Sequence, residues 1–446
     1  MNLPTTKKIH IFVAAIGVAF GLGNIWRFPY VVAENGGGAF VLIYVFLTTI
    51  VGAPLLIGEM LLGKSTGKNL IGSLKLLSAN NKVLSVGFST LVLILCLLVL
   101  SYYSVISSWV MHFFTQFIFG LFSSDFEPRL IFSSLKSQGY LQLLLTSVHL
   151  IITCALVKYK KEELLEKCIA FVLPFFTIVV ITMAFRALSL ENAIEAVRFF
   201  LYPDFTKIST KSFSAALGQM FFTLSIGFGA MVTIGANQYK DQSIPSAGFR
   251  LATLDSLFSL VAGLLIFPLV SSYFLYYDKV AGPELLFLTT PNLLNSLHFG
   301  TLLGVIFFLF LYLAALGASV GLVHTVTNNL AESKRLKNKN NYWIAGGMAW
   351  LFSLAPAFSS SFLKDFSFNG KPLIVVWDQV LIDWILPIVA LVLSQVILYF
   401  VDEKKVKAEI QSQTPQNAHT IFTHWRFLVR WVIPPVIIFS MLLRLV

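Results

Sequence analysis

The chain has 446 residues, 57% of them hydrophobic and only 12% charged, with a mean hydropathy of +0.81. A soluble domain cannot hide that much apolar side chain, so lipid is the expected solvent for most of the molecule. The net charge of +11 does not mark a nucleic-acid binder, because the basic residues sit in short clusters between apolar stretches, as at Lys158–Lys161 and Lys334–Lys337. Cys96, Cys154 and Cys168 show no ligand spacing, which excludes a zinc site and a disulfide framework.

Apolar stretches near 9–33, 38–63, 83–121, 138–158, 163–188, 213–237, 246–276, 297–332, 341–359, 373–400 and 425–445 predict eleven membrane-crossing helices. About 20 apolar residues suffice to cross the ~30 Å hydrocarbon layer as a helix. Strands are not expected, since these stretches lack period-two alternation and lipid offers no partner for an open strand edge. The first stretch has no small-residue cleavage site behind a compact apolar core and reads as a retained helix. Most lysines and arginines, among them Lys7, Lys8, Lys64, Lys68, Lys404 and Lys405, fall on one side. That bias predicts a plasma (inner) membrane protein with its N-terminus cytoplasmic and its C-terminus outside. The segment 283–297 reads as an external helical cap, and 402–423 as a polar cytoplasmic linker. The whole chain, 1–446, is then one transmembrane domain.

Two spans carry glycine clusters at mid-membrane. The first contains Gly17, Gly21 and Gly23 ahead of Asn24; the sixth contains Ser225-Ile226-Gly227-Phe228-Gly229. One such cluster has a plain reading as a close-packing face between helices. Two of them, five spans apart, point to paired interrupted helices in inverted repeats at about 9–188 and 213–400, with the last helix, about 425–445, as an addition. An unwound turn in lipid leaves N–H and C=O groups that need partners: the N–H groups suit a carboxylate, the carbonyls a cation. Asn24 follows the first break, Thr223 precedes the second, and Asp255 lies in mid-span of the seventh helix. All three offer oxygen, the ligand a hard cation requires. A polar Asn or Thr in a membrane helix commonly bonds a neighbouring helix, but an acid at that depth costs several kcal/mol and is a functional candidate by default. Glu59, at the inner end of the second span, is placed either to bond freed N–H groups or to rest at the interface.

The stretch Gly21-Leu22-Gly23-Asn24-Ile25-Trp26-Arg27-Phe28-Pro29, with Glu34 to Phe40 and Gly58-Glu59, resembles the first-helix signature of the neurotransmitter:sodium symporter family. Gln219 to Gly229 resembles its sixth-helix motif, and eleven spans resemble the bacterial amino-acid branch. The resemblance implies an all-α integral membrane fold of eleven helices, with helices 1 and 6 broken. It implies a first sodium site from the Ala19 carbonyl, Asn24, Thr223, Asp255 and the substrate carboxylate. That carboxylate would meet Tyr103 and the amides of Leu22 and Gly23. Val18, Val99, Phe222, Ser225, Phe228 and Leu322 would wall an apolar pocket for a neutral, hydrophobic amino acid. Arg27 and Asp378 resemble the outer gate pair, closing above Tyr103 and Phe228.

Three departures from the family pattern carry expectations of their own. Chloride-dependent members usually have a neutral residue where Asp255 stands; a fixed carboxylate beside Tyr44, Gln219, Thr223 and Ser259 would supply the charge chloride otherwise brings, so no chloride is expected. The second sodium site should draw on two side-chain oxygens in the eighth span, where this chain has Gly317 and Ala318. The carbonyls of Gly17, Phe20 and Ala314 alone make a poor cage, so that site is expected to be weak or absent. His324 would then be either a proton carrier or a hydrogen-bonded packing residue. The inner-gate Arg and Trp are missing from Asn2–Lys8. The leading expectation is sodium symport of an amino acid by alternating access. A sodium-independent or proton-coupled exchanger on the same fold stands as the alternative, and a non-transporting sensor is disfavoured by the short tails. No obligate protein partner is evident. No nucleophile–base pair suggests an enzyme.

Overall fold

The computed structural model describes residues 21–77, 81, 83–120, 127–237, 243–273, 284–331, 340–368, 370–413 and 417–445. Gly17, Val18, Ala19 and Phe20 therefore lie outside the described residues. Among those described, eight helices are long and apolar enough to cross a membrane: Gly38–Thr66, Ser85–Gly120, Gly139–Lys158, Glu162–Leu188, Ile244–Ser272, Gly300–Asn328, Leu373–Tyr399 and Ala418–Leu443. They correspond to the expected second, third, fourth, fifth, seventh, eighth, tenth and eleventh spans. The first span is described only from Gly21, which is non-helical, and then runs as helix to Glu34 through a π turn at Gly23–Arg27. The ninth is the 18-residue helix Asn341–Phe358.

The sixth span is broken. A first half, Thr210–Thr223, and a second, Ala230–Asn237, outer and inner in the expected orientation, flank six residues with no helical repeat. Within the break Ser225, Gly227 and Gly229 have φ of 55°, 87° and 77°. Such left-handed backbone is cheap for glycine and costs an L side chain roughly 1–2 kcal/mol, which is why glycine recurs there.

The linker segment 402–423 contains helix: Glu403–Gln413 and the start of the last helix, from Ala418, are helical. Trp425 of that helix donates its indole N–H to the Pro54 carbonyl at 2.9 Å and so ties the helix to the second span. Short helices Leu70–Leu77, Pro128–Ser137 and Ala193–Leu201 add connections that the apolar pattern did not show. The expected external cap is the helix Leu285–Ser296, pinned by Phe287 against Trp109, Phe113 and Phe132, with ring centroids 5.5–5.6 Å apart.

Against lipid there is little hydrophobic drive between helices, so close backbone approach decides which pair. The second span and the inner half of the sixth approach most closely at Gly63 and Gly235. A Cβ on Gly63 would stand 1.9 Å from the Val232 carbonyl oxygen, and one on Gly235 2.1 Å from that of Met60. Gly235→Leu is expected to destabilise the folded protein by at least about 2 kcal/mol through overpacking. Thermal unfolding in detergent checks this, with Gly347→Leu as control, since a Cβ there meets nothing within 4 Å.

Candidate functional site

Asp255 is fully buried in the seventh span. Its carboxylate accepts from Asn24 Nδ2 at 2.8 Å, from the Tyr44 hydroxyl at 2.7 Å and from Thr223 Oγ1 at 3.0 Å. Four helices therefore converge on one acid: the first after its non-helical glycine, the second, the last turn of the outer sixth, and the seventh. Ser259, one turn beyond Asp255, lies 3.3 Å from the Tyr44 hydroxyl. The donor set suits a hard monovalent cation: several oxygens, one full negative charge, and little else to neutralise it. Among the described residues no group of three or more His, Cys, Asp or Glu is placed to hold a metal ion.

On the third span Cys96, Val99 and Tyr103, spaced to share one face, are buried. The Cys96 thiol reaches the Phe228 carbonyl at 3.7 Å, and Tyr103 stacks edge-on to Phe222 with centroids 6.3 Å apart. Phe222 in turn lies flush on the first span: a Cβ on Gly23 would stand 2.8 Å from its ring. Leu22 and Gly23 begin the helical segment, so their amides belong to its N-terminal end. Ser225 and Phe228 sit within the break. Leu322 is half-buried in the eighth span.

Glu59 is fully buried and accepts the Gly227 N–H at 2.8 Å. A break in lipid strands an amide, and the second span supplies the acceptor. Gly227 is one of the left-handed residues, so the carboxylate meets the backbone where it departs furthest from a helix.

Arg27 lies one turn beyond Asn24 and is 1% exposed. Its Nε donates to both oxygens of Asp378 at 3.0 and 3.1 Å, one terminal nitrogen donates to Gln219 Oε1 at 2.7 Å, and the other bonds Asp383 Oδ1 at 3.2 Å. Tyr30 donates to Asp378 at 2.8 Å. The sequence pairs Arg27 with Asp378 alone and sets Gln219 beside Asp255. The structure adds Asp383 and turns Gln219 toward the arginine. A buried guanidinium satisfied on this many sides is firmly held, and breaking one partner is costly.

At the expected second cation site Ala314 is buried and Gly317 half-buried, while Ala318 is exposed. Neither Gly317 nor Ala318 brings a side-chain oxygen. His324 Nε2 lies 2.8 Å from Glu162 Oε1 at the start of the fifth span.

Residues 4–123 and 127–446 match the family model described as "Sodium:neurotransmitter symporter family". The chain is 31% identical over 434 residues to the sodium-dependent transporter YhdH of Bacillus subtilis, covering 97% of this chain and 95% of that protein. It is 26% identical over 292 residues to the sodium-dependent neutral amino acid transporter B(0)AT2 of Mus musculus, covering 58% and 40%. Its fold is similar to that in the crystal structure of MhsT in complex with L-phenylalanine, with a TM-score of 0.89, 28% identity and 98% of each chain covered.

Proposed function

The chain belongs to the sodium:neurotransmitter symporter family, a family of sodium-coupled membrane transporters and not of enzymes, and from that premise we propose that it imports a neutral, hydrophobic L-amino acid together with one Na⁺, independently of chloride. The observation that carries this reading is the buried Asp255 carboxylate, bonded by Asn24, Tyr44 and Thr223. Na⁺ is taken as a co-substrate beside Asp255, Asn24, Thr223 and the Ala19 carbonyl. The amino-acid carboxylate completes its ligand shell, steadied by the Leu22 and Gly23 amides and the Tyr103 hydroxyl. Because a cation in low dielectric needs an anion near it, ion and substrate bind better together than apart, and that is the coupling.

Val18, Val99, Phe222, Ser225, Phe228 and Leu322 are proposed to surround the side chain. Apolar and aromatic walls favour a hydrophobic cargo, and the similar transporter MhsT forms a complex with L-phenylalanine. The first, second, sixth and seventh helices, drawn from the repeats at 9–188 and 213–400, are proposed to rock about this site, with Arg27 and Asp378 facing outside and the N-terminus in the cytoplasm. Gly17, Phe20 and Ala314 are left as a degenerate second cation site. Gly317 and Ala318 also favour a second reading, proton coupling through His324, although its hydrogen bond with Glu162 suits a packing role equally.

Binding of an amino-acid panel to purified protein, each measured in sodium and in choline, tests the reading. Hydrophobic amino acids should bind only with sodium, with a Hill coefficient near one for the ion. Uptake into proteoliposomes should be unchanged when gluconate replaces chloride. Equal binding in choline would end the symport reading, and uptake lost in gluconate would end chloride independence.

A further inference from the structure

Beyond the gate pair lies a buried chain of charge that ends on the last helix. Asp383 Oδ1 bonds Arg27 at 3.2 Å, while Asp383 Oδ2 bonds Arg444 of the eleventh span at 2.9 Å. The Arg444 side chain is 12% exposed and that of Asp383 5%. Arg444 also donates to Ser214 Oγ of the outer sixth span at 3.0 Å and lies over the Trp384 ring, 5.7 Å from its centroid. Gly218 leaves no slack: a Cβ there would stand 2.7 Å from Asp383 Oδ1. Asp383 is thus wedged between the first, sixth, tenth and eleventh helices.

The backbone explains how two acids of one helix reach one arginine. Residues five apart on an α-helix point about 140° away from each other. Here Leu381–Ile385 is a π turn, with i→i+5 bonding, which brings Asp383 back onto the face that Asp378 occupies.

Arg27 and Arg444 against Asp378 and Asp383 sum to zero with the gate shut. When Arg27 withdraws, Asp383 would be left buried without a cation were it not for Arg444. We propose that Arg444 is a gate-positioning residue: it holds Asp383 charged and in place so that Arg27 can leave, and thereby ties the eleventh helix to opening of the outer gate. The sign follows from the charges. Removing Arg444 strands Asp383 in the open state, where Arg27 no longer balances it, so the loss favours closure. The inference rests on the gate reading of Arg27 and Asp378, and the experiment separates the two.

The readout is labelling from outside by a membrane-impermeant methanethiosulfonate. The reporter is Val99→Cys, below the gate, in a chain whose Cys96, Cys154 and Cys168 are replaced by serine. Asp378→Asn should speed labelling; if it does not, the gate reading fails. Arg444→Gln should slow it by about tenfold, and Arg444→Lys should restore it. Asp383→Asn should speed it, and Asp383→Asn with Arg444→Gln should match Asp383→Asn alone, because Arg444 acts through that carboxylate. Labelling of Arg444→Gln at the unmodified rate while Asp378→Asn is fast overturns this inference alone, as does a double variant as slow as Arg444→Gln. If Arg444→Gln fails to reach the membrane, the Asp383→Asn pair and Arg444→Lys decide: a double variant slower than Asp383→Asn, or an Arg444→Lys chain slower than unmodified, overturns the proposal.

Discussion

Asp255→Ala is expected to abolish sodium-driven uptake, and Asp255→Asn to weaken apparent sodium affinity by about a hundredfold or more. The acid is fully buried and holds the only full negative charge among the side chains that meet there. A unit charge about 4 Å from a cation is worth about 4 kcal/mol at an effective dielectric constant of 20, and a hundredfold corresponds to about 2.7 kcal/mol. The asparagine variant keeps shape and much of the hydrogen bonding, so the loss it shows is that of charge. It also releases the Tyr44, Thr223 and Ser259 hydroxyls to face an anion, and residual uptake by Asp255→Asn should therefore become chloride-sensitive. A scintillation proximity assay of substrate binding across a sodium titration, with and without chloride, measures both. An asparagine variant with unmodified sodium dependence would remove Asp255 from the ion site.

The second large effect is expected at Arg27. Arg27→Ala leaves Asp378 and Asp383 buried with only Arg444 to balance them, and Asp378→Asn removes the acid that receives Nε. Losing one partner of a buried ion pair costs about 3–5 kcal/mol, enough to move a two-state gate from almost always shut to almost always open. Net uptake should fall by about two orders of magnitude, while sodium-dependent binding from outside survives. Comparing binding in detergent with uptake in proteoliposomes checks this. A parallel fall of both would mean that Arg27 serves the fold or the substrate and not the gate.

The parts of this site visible in the sequence are those that violate the expectations for a membrane helix. Glycine pairs at mid-span and a lone acid at Asp255 are expensive in lipid, so each advertises itself without any tertiary information. The sixth-span break lies where its glycines stand, and Glu59 bonds the backbone there. Arg444 carries no such signal, because it sits at the end of its span, where a charge has an ordinary interfacial explanation. Asp383 is a mid-span acid in Leu373–Tyr399, but on a regular helix it would face about 140° away from Asp378, so nothing in the pattern joins it to the gate pair. Only the π turn at Leu381–Ile385 unites them, and no apolar pattern encodes a π turn. Gln219 departs from expectation for a related reason: residues 219 and 223 share a helical face, so the sequence cannot tell which bonds the acid and which turns to the arginine.

The close approach at Gly63 and Gly235 has a consequence for motion. The second helix is in backbone contact with the lower half of the sixth, and Glu59 staples it to the kinked residues just above. Under the proposed alternating access, those two pieces would swing as a single lever, with Leu224–Ile226 as its fulcrum. A chemical tether between them would leave the stroke free, whereas one across the fulcrum would stall it.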